Sequence, residues 1–157
     1  MNRALAPALL LLTCAATGCA AHPSFRAETA PGFVQVKEDA SPYDFRAVAP
    51  DGVAVAVRSV SLDGNTDLAF WTSAFLLRLR QLDGYALLST EKVRSRGGTP
   101  GDELVFGHDE EGKPFRYRVR LFVENAKLLV VEAGGAEEQM QRWRPSVDWM
   151  MGSVGGR

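Results

Sequence analysis

Through the second half of the chain, apolar and polar residues alternate with period two. Phe115, Tyr117, Val119, Leu121 and Val123 fall on one side, and Arg116, Arg118 and Arg120 on the other, which predicts a half-buried strand over Pro114–Val123. Tyr85–Arg94, Asp102–His108 and Lys127–Ala133 read as further strands. They are separated by the flexible connection Ser95–Gly101, the hairpin loop Asp109–Lys113 and the tight turn Glu124–Ala126, and such short links favour antiparallel neighbours. Upstream, Phe33–Lys37 carries a modest strand signal, Tyr43–Val48 a second, and the nearly all-apolar run Val53–Val60 a third. Pro50–Gly52 supplies the turn between the last two, because proline pre-sets φ and glycine accepts positive φ.

Two segments change period. Over Asn65–Asp83, Leu68, Trp71, Phe75, Leu79 and Leu82 recur at helical spacing as one apolar stripe, predicting an amphipathic helix. Asn65 or Thr66 can cap its start, Asp67 complements the positive end of its dipole, and Gly84 can stop it. Ala136–Val154 is helical as well, but Pro145 removes a backbone donor and crowds the preceding turn, so a kink or two short helices are expected. The predicted order is β-β-β-α-β-β-β-β-α. The fold class is α+β, an antiparallel sheet of about six strands flanked by helices.

The first eighteen residues follow a different logic. Arg3 precedes the apolar run Ala4–Thr13, the pattern of a secretory signal and too short for a comfortable membrane-spanning helix of roughly 20 residues. Ala16-Thr17-Gly18-Cys19 resembles the lipobox of bacterial lipoproteins, where small residues precede a cysteine that is acylated and becomes the new N-terminus. Ala16 departs from the more usual leucine, and Cys14 is a competing, poorer fit because Thr13 precedes it. The resemblance implies a multiply acylated Cys19, and more than one acyl chain gives stable anchoring. Ala20 after it implies sorting to the outer membrane, with the domain facing the periplasm. The alternative is an ordinary cleaved signal with a chance cysteine and a free periplasmic product. Residues 1–18 are therefore the expected signal peptide, 19–32 the lipidated cysteine with a small, polar, proline-punctuated tether holding His22, and 33–157 a single domain.

Composition narrows the functional classes. The 157-residue chain has a formal net charge of −1, and the leader removes only Arg3, so nothing global favours nucleic acid. Both cysteines lie in the leader region, leaving the domain without a disulfide, a thiolate nucleophile or a cysteine metal site.

Two strings carry a second resemblance. Gly98-Thr99-Pro100-Gly101-Asp102-Glu103-Leu104-Val105-Phe106, followed by Gly112-Lys113-Pro114-Phe115-Arg116-Tyr117, and the terminal Trp149-Met150-Met151-Gly152-Ser153-Val154, are similar to the PsbP-like and DcrB-like superfamily. That superfamily includes bacterial lipoproteins and the Ran-binding Mog proteins. The short opening around Pro31-Gly32-Phe33 departs from its longer proline-glycine-tryptophan form. The resemblance implies an α-β-α sandwich and an accessory or binding role rather than catalysis.

Candidate chemistry is sparse. Asp63-Gly64-Asn65-Thr66-Asp67 begins like a calcium loop, but Leu68 and Ala74 stand where glycine and glutamate are required, so a turn and helix cap are expected. His108 beside Asp109 could form half a base or metal site, yet no second histidine follows in the domain, and a turn histidine is the expected reading. No phosphate loop, dinucleotide fingerprint or His-Glu-x-x-His pair occurs. No catalytic residue, metal or cofactor is expected. The candidate contacts for a ligand or partner are Arg116, Arg118 and Arg120, with Glu103 and Glu132 as their competing cross-strand partners, and Trp143 and Trp149, whose helical spacing equally suits packing on the sheet. The expected function is a non-enzymatic envelope lipoprotein that binds another envelope protein. The alternative is a small-ligand or lipid-binding module with a pocket between sheet and helices.

Overall fold

The computed structural model describes residues 25–156 apart from 39 and 65. Its elements are β1 (Phe25–Arg26), β2 (Val34–Gln35), β3 (Phe45–Val48), β4 (Ala54–Ser61), α1 (Leu68–Gln81), β5 (Ala86–Arg94), β6 (Pro100–Glu110), β7 (Lys113–Glu124), β8 (Lys127–Ala136), α2 (Glu137–Arg142), α3 (Arg144–Ser153) and β9 (Gly155–Gly156). Seven strands form one sheet in the order β2-β3-β4-β8-β7-β6-β5, while β1 and β9 make a separate two-stranded pair. All of these pairings are antiparallel. The α+β class is as expected, with seven strands in the main sheet rather than about six.

Alternation along the strands divides the molecule into three layers. On one face, α1 lays Leu68, Trp71, Phe75, Leu76 and Leu79 against Leu104, Phe106, Val119, Leu121, Leu128 and Val130. On the other, α2 and α3 press Met140, Val147, Met150 and Met151 onto Val55, Val57, Phe122, Leu129 and Val131. Burial of these apolar side chains is the main stabilising contribution, about 1.5–3 kcal/mol for each fully covered one.

Local chemistry sets the helix ends. The Asp67 side chain, rather than Thr66, caps α1 by accepting from the Ala69 N–H at 2.9 Å; Asn65, the other expected cap, lies outside the described residues. Leu82 does not belong to the buried stripe. It sits at the C-cap, past the last turn, and is 80% exposed. The final helical segment divides at Trp143, one residue before α3, because Pro145 occupies the first turn of α3, where its missing N–H costs nothing.

One expectation is overturned. Residues 25–32, assigned above to the tether, are part of the fold. Phe25 (2% exposed) and Ala30 are buried in the α2–α3 core, and Phe25 and Arg26 pair with Gly156 and Gly155. The Glu28 N–H donates to the Ser153 hydroxyl at 3.1 Å, and Phe33 meets Trp143 edge to face with centroids 5.2 Å apart. Gly32, at φ +87°, lies under the Trp143 ring, where a Cβ would come within 2.6 Å of ring carbon. This strap buries itself through long-range contacts and has no period of its own. Cys14, Cys19 and His22 lie outside the described residues.

Candidate functional site

The helices α2 and α3 cover only part of their face of the sheet. Where they stop, β5, β6 and β7 form the floor of an open trough of about 570 Å³. Ser89 and Glu91 come from β5, Glu103 and Val105 from β6, and Arg116 and Arg118 from β7; Glu137, Met140 and Gln141 of α2 and Arg144 of α3 form its wall. A second depression, of about 650 Å³, meets the trough at Arg116 and Glu137 and reaches His108, Asp109 and Pro114.

The arginine row lies on this face of the sheet, opposite Tyr117, Val119 and Leu121, as its alternation predicts; Arg116 and Arg118 line the trough, and Arg120 does not. Its guanidinium groups are largely engaged by carboxylates. Glu103, 3% exposed, accepts from Arg118 Nε at 2.7 Å and Nη2 at 2.6 Å, and from Arg120 Nε at 2.8 Å. Arg118 Nη1 also donates to Asp148 of α3 at 2.5 Å. Burial alone would lower the pKa of Arg118, but its contacts with Asp148 and Glu103 outweigh that and raise it. Arg116 Nε donates to Glu137 at 2.6 Å, which together with Gln141 holds the Glu137 carboxyl below its ordinary range. The floor is therefore charge-compensated. It offers hydrogen-bonding edges instead of a concentrated positive field.

Of the two carboxylates expected beside the row, only Glu103 is there. Glu103 is in register with Arg120, whereas Glu132 is in register with Val119 and so points to the α1 side. There it accepts a short hydrogen bond from the Tyr117 hydroxyl and another from Arg58 Nη2 at 3.2 Å, while the Arg58 guanidinium sits 5.9 Å from the centre of the Phe75 ring. Burial, and then the charge of Glu132, raise the Tyr117 pKa, so this phenol stays neutral and donates. No spacing in the sequence marks the Arg58–Glu132–Tyr117 cluster, because it joins three strands. Its one sequence signal is a lone carboxylate in the apolar run Leu128–Ala133.

The remaining candidates separate. Trp143 packs on Phe33 and its indole N–H donates to Asp51 at 2.9 Å; it does not line the trough. Trp149 is 49% exposed on α3. His108 rests against the Tyr85 ring at 5.0 Å between centroids. Among the described residues no group of three or more His, Cys, Asp or Glu could hold a metal, and no helix is long and apolar enough to cross a membrane.

No family model and no curated protein matches this sequence. Solved structures do match, and the architecture they share is the PsbP-like α+β sandwich. LpqN of Mycobacterium tuberculosis, involved in cell envelope biogenesis, superposes with a TM-score of 0.64 at 14% identity, covering 88% of this chain and 86% of that one. The cyanobacterial PsbP (CyanoP) of Synechocystis sp. PCC 6803 gives 0.55 at 15% identity over 94% and 99%. The Ran-binding protein Mog1p of Saccharomyces cerevisiae gives 0.55 at 12% identity over 79% and 78%. At these identities the likeness establishes the fold.

Proposed function

We propose that this chain is a non-enzymatic envelope lipoprotein, held at the membrane by lipid on Cys19, whose trough docks a protein partner. The observation that carries the docking reading is the half-face that α2 and α3 leave open among the described residues: three strands present a polar, charge-compensated floor that ends at the edge strand β5. Such a surface can pair with main-chain groups as well as side chains of an incoming segment. The envelope role of LpqN and the Ran binding of Mog1p supply precedents on this fold, as analogy only. The lipobox resemblance supplies the anchor.

A photo-crosslinking residue at Gln141, in the wall of the trough, tests this in the native envelope. A discrete adduct is expected, abolished when Val105→Trp fills the trough and retained when the exposed Phe70 of α1 becomes Asp. Absence of an adduct, or an adduct indifferent to Val105→Trp, refutes the docking site. A second reading, a small-ligand module, is favoured by the trough volume, which falls in the range of small-molecule pockets. Native mass spectrometry of protein purified from the envelope would then show a retained non-protein mass.

A further inference from the structure

The docking of residues 25–32 leaves a short connection to the anchor, and its place on the sheet has a geometric consequence. We infer that the end of the sheet carrying β1, β9, the 95–99 loop and the 125–126 turn lies against the phospholipid surface, so that the trough is presented away from the bilayer. This inference rests on the proposed lipid on Cys19.

Three contacts locate β1 and β9 at that end. The Arg96 N–H donates to the Val154 carbonyl, the Gly156 N–H donates to Glu124, and Phe25 pairs with Gly156. From Cys19 to Phe25 the chain reaches at most about 20 Å at full extension. Strand β7, with 12 residues, is about 40 Å long at roughly 3.3 Å per residue. The anchored end is therefore confined near the headgroups. The opposite end, with the 111–112 hairpin tip and the second depression, cannot reach them unless the domain folds back over its own side.

The near end carries Arg26, Arg94, Arg96 and Lys127 against Glu28, Asp63, Asp67 and Glu124, a balanced set, so the reach of the chain and not charge sets the orientation. The far hairpin carries Asp109, Glu110 and Glu111 with Lys113 alone to balance them, and an anionic surface repels that tip over about a Debye length, about 8 Å in physiological salt.

The test uses the mature lipidated protein on vesicles of phosphatidylcholine with a minority of phosphatidylglycerol. Cys14 lies in the leader and the Cys19 thiol is acylated, so Lys127→Cys and Lys113→Cys each supply one reactive thiol for a fluorophore. With a quencher on the lipid headgroups, quenching at 127 is expected to exceed that at 113 several-fold. Equal or reversed quenching in protein that floats with the vesicles overturns the orientation and leaves the anchor standing. Mature protein from the native host that fails to float, or a Cys19→Ser variant that floats equally well, overturns the anchor and the orientation with it.

Discussion

Replacing Glu103 by glutamine preserves the side-chain shape and removes a charge held among two arginines. In the native protein one buried carboxylate accepts from Arg118 and Arg120 at 2.6–2.8 Å. A glutamine can satisfy one of them through its oxygen, but turns an amide donor toward the other. Arg118 keeps Asp148; Arg120, mostly buried, loses the carboxylate its Nε donates to. Breaking a buried, hydrogen-bonded pair by removing one partner costs about 3–5 kcal/mol. The retained Asp148 contact places Glu103→Gln at the lower end, about 3 kcal/mol, or a fall in melting temperature of about 10 °C. Urea unfolding followed by tryptophan fluorescence measures this, with an unchanged m-value expected. In an Arg120→Met background the same substitution should cost at least about 1 kcal/mol less, because neighbours in one network are coupled. A loss below about 1 kcal/mol, the range of solvated surface pairs, would refute the claim that the arginine row is tied into the fold.

Three further predictions concern the frame around the site. Gly101→Ala would place a Cβ 2.3 Å from the Phe122 ring and 2.5 Å from the Leu121 carbonyl oxygen; a loss of at least about 1–3 kcal/mol is expected, and an unchanged urea midpoint would contradict the packing. Ala126 holds φ +55° in the β7–β8 turn, where a non-glycine residue is strained, so Ala126→Gly should raise stability by about 0.5–1 kcal/mol despite the added unfolded-state freedom. Because Arg116 lowers the Glu137 pKa from its ordinary value of 4.5, that carboxylate adds stability above about pH 4.5 and loses it as pH falls through the lower folded value. Stability–pH profiles of wild type and Glu137→Gln should therefore be separated at neutral pH and converge in acid; parallel curves throughout would count against the ion pair.

Much of the sheet was legible because β7 and α1 each repeat with the period of their own geometry. The faces of β7 followed directly from alternation. Glu132 was misplaced because its side depends on strand register, and a one-residue difference in pairing moves a side chain through the sheet. Leu82 matched the helical spacing but fell beyond the last hydrogen-bonded turn. The strap at residues 25–32 has the composition of a tether, but Phe25 and Ala30 bury themselves by contacts distant in sequence, which no local pattern encodes. The trough was invisible for a related reason. It exists because α2 and α3 stop short of β5, a matter of how layers overlap, and no motif marks it.

The hydrogen bonding of Phe25 to Gly156 also bears on how the protein is handled in the laboratory. The two ends of the described chain, Phe25 and Gly156, share one small area, so an addition beyond either starts from the same spot. The exposed 111–112 hairpin tip, where Glu111 and Gly112 already adopt positive φ, is the better place for a tag. An insertion there would sit roughly a strand's length from the junction of the termini.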